Sequence, residues 1–133
     1  KPLLERIDLT VEVKRLPLAD LVSTEPEETT ETIRKRLQEV QDIQKERFKG
    51  SGIASNSGIP VPYMEEFCPM EGEARKLLQE YFERLEMSAR SYYRTIRVAR
   101  TIADMERASR IGRVHIMESL MYRGMDRKAW EMA

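Results

Sequence analysis

Cysteine and histidine are nearly missing from this chain: among 133 residues there is one of each, Cys68 and His115. A single cysteine excludes an internal disulfide and a multi-cysteine zinc site, and makes a reducing, cytoplasmic compartment the default reading. With no second histidine or cysteine at metal spacing, no metal site is expected, and His115 reads as a hydrogen-bonded structural histidine. A nucleophilic Cys68 would need a histidine nearby in space, which the sequence does not place there; Cys68 reads as a small buried hydrophobe. An excess of either charge is also lacking. Lys plus Arg and Asp plus Glu both number 23, so no bulk attraction to nucleic acid or anionic lipid follows, although a local basic face stays open. No apolar run reaches membrane length and no signal peptide is present, so no membrane partner is expected.

What is present fits one soluble, helix-rich domain. Hydrophobic residues make up 41% and charged residues 35%, with only six glycines and six prolines. Eight methionines suit an adaptable core better than a cofactor box. The chain opens on Lys1 rather than Met, and reads as a piece of something longer.

Residues 1–13, KPLLERIDLTVEV, carry a strand signal, with Ile7, Leu9, Val11 and Val13 alternating with polar residues. A lone strand needs a sheet to join, so this one reads as the end of a preceding sheet, or else as half of a short hairpin with Lys14 to Leu21. Pro17, Ser23, Thr24 and Pro26 then read as linker. Glu27 to Phe48 is expected as a helix that buries Ile33, Leu37, Val40, Ile43 or Gln44, and Phe48, with Gly50 just past its end. Gly50 to Pro62 must be loop; no Gly-Lys-Ser/Thr follows and no strand leads in, so it is not a phosphate cradle. A short helix is expected near Pro62 to Cys68. A longer one follows from about Glu71 to Leu85, with Ala74, Leu77, Leu78, Tyr81, Phe82 and Leu85 inward. Met87-Ser88 must turn the chain back sharply. The last elements are a helix from about Arg113 to Tyr122 and a closing turn around Asp126 to Met132 with Trp130.

Ser88 to Glu106 is the helix around which the rest is organised. Ser88 caps it, and Ala89, Tyr92 or Tyr93, Ile96, Ala99 and Ala103 recur on one side. Arg90, Arg94 and Arg97 share another face and are expected to point outward. Two readings stand open: a solvated basic face paired with Glu86 and other acids, or an anion site. Residue chemistry alone favours the first, because exposed charge faces are common and individually worth little. For the second, Arg90 lies in the first turn, where unpaired backbone N–H groups and the positive end of the macrodipole attract anions.

Three stretches carry a resemblance. Pro2-Leu3-Leu4-Glu5-Arg6-Ile7-Asp8-Leu9 resembles the close of the nucleotide-binding subdomain in AAA+ ATPases of the magnesium-chelatase and MCM clade. Ser88-Ala89-Arg90, continuing through Val98 to Asp104, resembles the lid of magnesium-chelatase-like proteins of the ComM/YifB type. His115-Ile116, Tyr122-Arg123 and Asp126-Arg127 resemble the end of that lid. Glu5 stands where the family often has aspartate and Thr10 where it often has histidine; neither removes a charge the mechanism needs. The match is closer to the ComM/YifB type than to magnesium chelatase proper, where a Gly-His-Arg type of sequence usually precedes the lid arginine.

The resemblance implies an all-α lid-type bundle of four to five helices over residues 26–133. Residues 1–25 would be the last strand of the α/β subdomain and a linker, mobile without their sheet. It implies ATP and Mg²⁺ as cofactors of a larger ATPase, held on a P-loop that this chain lacks, and a homo-oligomeric ring in which neighbouring subunits and the rest of the AAA+ module are the partners. Arg6 aligns with the arginine finger, acting on the neighbour's nucleotide, and Arg90 with the sensor 2 arginine, contacting the γ-phosphate in its own subunit. Arginine suits both roles through its permanent charge and planar fork. The family is linked to remodelling of branched DNA in bacterial transformation, so DNA is an expected substrate of the whole. A different class of function is a stand-alone helical module gripping nucleic acid or protein through Arg90, Arg94, Arg97 and Arg100. It lacks the interleaved aromatics and net basicity of a nucleic-acid binder.

Overall fold

The computed structural model describes residues 6–123. Six α-helices follow in order: α1 (Leu18–Leu21), α2 (Thr30–Arg47), α3 (Met64–Phe67), α4 (Gly72–Arg84), α5 (Ala89–Met105) and α6 (Arg113–Met121). Four of them are substantial and two are single turns, so the described residues are all-α with six helices where four to five were expected. The closing turn around Asp126, with Arg127 and Trp130, lies outside the described residues, as do the first five residues of the expected strand.

Local chemistry sets the helix ends. Thr29 caps α2 by accepting from the Thr32 N–H at 3.2 Å, and Ser88 caps α5 by accepting from the Ser91 N–H at 3.2 Å. Past α2, Gly50 takes φ +77°, a left-handed turn that glycine adopts without steric cost. No glycine follows α4 or α5. Glu86 (φ 48°) and Arg107 (φ 58°) occupy the corresponding positions, and the next N–H in each case bonds back five residues: Met87 to the Phe82 carbonyl and Ala108 to that of Ala103. These two closures give the sharp reversal at Met87-Ser88 and its counterpart before α6.

The core collects Phe48, Ile59, Met64, Cys68, Leu77, Leu78, Ile96, Ala99, Ile111, Ile116 and Leu120. Each fully buried Leu or Ile contributes about 1.5–3 kcal/mol over its exposed state. α6 packs against both α5 and α4, and the Ser119 hydroxyl donates to the Thr95 carbonyl at 2.8 Å between α6 and α5.

Three sequence expectations are corrected. No strand forms among the described residues; the only β-type pairing there is a parallel bridge between Met70 and Ile111. Residues 6–13 form no regular strand, with a 3₁₀ position at Arg6 and a bend at Asp8, and Lys14 to Leu21 supplies no hairpin partner because it ends in the turn of α1. Ile33 (39% exposed) and Leu37 (51%) do not join the core: only the C-terminal half of α2 meets the bundle, through Val40, Gln44 and Phe48. Ala89 and Phe82 are exposed rather than inward; Phe82 packs edge-on against Tyr92 at the surface between α4 and α5, with ring centroids 5.4 Å apart. The loop over 50–62 forms as expected, tightened by 3₁₀ turns at Asn56–Gly58 and Val61–Tyr63.

Candidate functional site

A cleft of about 610 Å³ opens along one face of α5. Leu9, Val98, Ile102 and Met105 give it apolar walls, while Arg6, Arg90, Arg94 and Arg97 face it against two carboxylates, Asp8 and Glu118. The balance is cationic.

The four arginines are not equivalent, and the outward-pointing basic face expected of Arg90, Arg94 and Arg97 is not formed. Arg94 is buried: its Nη1 donates to the Ile7 carbonyl at 2.8 Å and its Nε pairs with Asp8 Oδ1 at 3.1 Å. Arg97 is half-buried, and its Nε and Nη2 donate to the Ile59 carbonyl at 3.2 and 2.8 Å. A carbonyl orients that guanidinium without neutralising it. Arg90 and Arg6 are exposed, and neither holds an ion pair or hydrogen bond among the described residues. The structure therefore brings the two sequence-identified arginines to one cleft and leaves both uncommitted. Arg90 has the further advantage of the first turn of a 17-residue helix.

Beneath the cleft lies a buried polar network that sequence reasoning did not find. The Asp104 side chain has no solvent exposure. It receives a two-pronged grip from Arg47, a bond from Arg100 Nε at 3.1 Å, and one from Asn56 Nδ2 at 2.8 Å. Asn56 also donates to the Thr101 hydroxyl at 3.0 Å, and its backbone N–H reaches Gln44 Oε1 at 3.0 Å. The remaining Arg100 donors go to the carbonyls of Ala108 and Ser109. Burial pushes the Arg100 guanidinium below its ordinary pKa, against the opposing pull of Asp104. A signal was available: Asp104 follows Arg100 by four residues, at the edge of the apolar stripe of Ala99 and Ala103.

His115 behaves as a structural residue. The Gly112 N–H donates to Nδ1 at 2.8 Å, which makes Nδ1 the acceptor and leaves Nε2 to donate to Glu106 Oε2 at 2.7 Å. Cys68 is buried, and desolvation raises its thiol pKa to about 11, outweighing the nearby Arg100 and Arg47. A thiol held protonated in this way is a poor nucleophile. Among the described residues no group of three or more His, Cys, Asp or Glu is placed to hold a metal ion, and no helix is long and apolar enough to cross a membrane.

Comparison with known proteins gives one consistent result. Residues 27–123 match the family described as magnesium chelatase, subunit ChlI C-terminal. The chain is 34% identical over 127 residues to the competence protein ComM of Haemophilus influenzae, and 33% identical over 127 residues to the uncharacterized protein YifB of Escherichia coli. It is 28% identical over 122 residues to an uncharacterized protein of Mycobacterium bovis. The first two alignments cover 95% of this chain, and the third 92%; in all three the chain spans only 24% of the relative.

Proposed function

This chain belongs to the family of the magnesium chelatase subunit ChlI C-terminal region, and from that premise we propose that it is the lid portion of a larger AAA+ ATPase of the ComM/YifB type. Working in an oligomeric ring, the lid presents Arg90 and Arg6 to the terminal phosphate of ATP. The observation that carries this reading is the pair of exposed arginines without acidic partners in one cationic cleft, one of them at a helix N-terminus.

The donor set fits phosphate. It does not fit magnesium, which wants free carboxylates: Asp8 is engaged by Arg94, and Glu118 accepts from the Tyr122 hydroxyl at 3.1 Å. Magnesium would be held by the rest of the ATPase. The alternative of a module gripping nucleic acid through four arginines loses its surface, because Arg100 is 1% exposed and Arg94 is buried. DNA remains the substrate we assign to the whole machine, supported by the relative named a competence protein.

Arg6 acts on the neighbouring subunit's nucleotide and Arg90 on its own subunit's. The shared cleft favours a second arrangement, in which both arginines of one subunit address a single phosphate. In the full-length ATPase, Arg6→Ala should lower turnover by about a thousandfold or more, and Arg90→Ala should also lower it strongly. Full activity in both variants would overturn the reading. Mixing the two variants then separates the arrangements. Regained activity means that an intact finger has met an intact lid across an interface, whereas none, with rings still formed, means that both arginines come from one subunit.

A further inference from the structure

We propose that Arg94 is a positioning residue, a latch that fixes the segment bearing Arg6 to the helix bearing Arg90, so that the lid sets the finger. The inference rests on the reading above that Arg6 serves a nucleotide. Arg94 follows Arg90 by about one helical turn. Its guanidinium holds the two residues after Arg6 at once: Nη1 on the Ile7 carbonyl at 2.8 Å and Nε on Asp8 Oδ1 at 3.1 Å. With its side chain only 11% exposed, the guanidinium is confined. A second anchor follows two residues later, where the Thr10 N–H and hydroxyl both donate to the Tyr122 carbonyl, at 2.9 and 2.6 Å.

The segment is thus pinned at two points, and the pin nearer Arg6 belongs to α5. A shift of the first turn of α5 when Arg90 meets a phosphate carries Arg94 with it. The Ile7 carbonyl and Asp8 follow, and Arg6 with them. Arginine is suited to this because a planar fork can bond a carbonyl and a carboxylate in fixed relative positions, while a lysine ammonium on a flexible stem fixes neither direction.

The test uses full-length rings with ATP. Arg94→Gln should lower kcat by about a hundredfold, as expected of a misplaced catalytic group, with KM for ATP little changed. Arg94→Lys should recover part of that loss. The decisive readout is complementation. Subunits carrying Arg94→Gln should regain activity when mixed with subunits disabled only at their own phosphate-binding loop, and should regain none when mixed with Arg6→Ala subunits. The opposite pattern would assign Arg94 to its own subunit's site and overturn the latch. So would turnover within about twofold of the unaltered protein, far below the loss a misplaced group causes. If Arg94→Gln does not fold, Asp8→Asn removes the ionic half of the latch from its exposed side and must fall in the same complementation class. Full activity of Arg6→Ala would instead indict the underlying assignment of the finger.

Discussion

At Asp104 two guanidinium groups and one carboxamide converge on a carboxylate that no water reaches. Removing the carboxylate leaves Arg47 and Arg100 close together without a counter-charge, so Asp104→Ala should destabilise the fold by about 3–5 kcal/mol, read from urea unfolding. Cys68 offers a pH test. Its thiol is raised from an ordinary 9.0 to about 11 in the fold, so the folded state holds its proton more tightly than the unfolded chain does. The resulting stability is fully present below pH 9.0 and drains away as pH climbs to about 11; Cys68→Ala should remove that part of the decline in urea midpoints measured across the interval. Periodicity identified the arginine face of α5 but not its direction. Whether a charged stripe faces water depends on what is packed opposite. Here the carbonyls of Ile7 and Ile59 and the carboxylate of Asp8 turn Arg94 and Arg97 inward, partners that distant segments supply and a helical wheel does not contain.

Among the elements, α5 depends on its cap. Ser88→Ala leaves the Ser91 N–H without its acceptor and should cost about 1 kcal/mol by urea unfolding. The same measurement on Leu37→Gln should give a change within about 0.5 kcal/mol, because that side chain lies on the projecting half of α2. Helices α2, α4, α5 and α6 were legible because each carries a long apolar period and, for α2 and α5, a capping residue. The ends of α4 and α5 fell where expected, at Leu85 and Glu106, although Glu86 and Arg107 occupy the left-handed positions that glycine would have announced. The strand signal gave no strand over the described residues 6–13. Alternation of apolar and polar residues encodes readiness to pair, and pairing needs a second strand that no described residue provides.

For the whole molecule, the cleft presents cationic side chains, and the sequence contains no Gly-Lys-Ser/Thr with which to cradle a nucleotide. The purified 133-residue chain should therefore show no ATP turnover in a phosphate-release assay. Turnover that survives replacement of both Arg6 and Arg90 would contradict the assignment of the chain as a lid. The family was readable in advance from short motifs, and Arg6 and Arg90 stood out there as candidates. Their meeting in one cleft was not, because it depends on where the extended segment lies across α5. Thr10 and Tyr122 stand 112 positions apart and share one carbonyl. The way into the helical unit and the way out of it therefore lie side by side. A pull applied ahead of Ile7 is borne first by Arg94 on α5 and reaches the end of α6 only once that hold gives, like a seam that parts stitch by stitch while the fabric behind it stays whole.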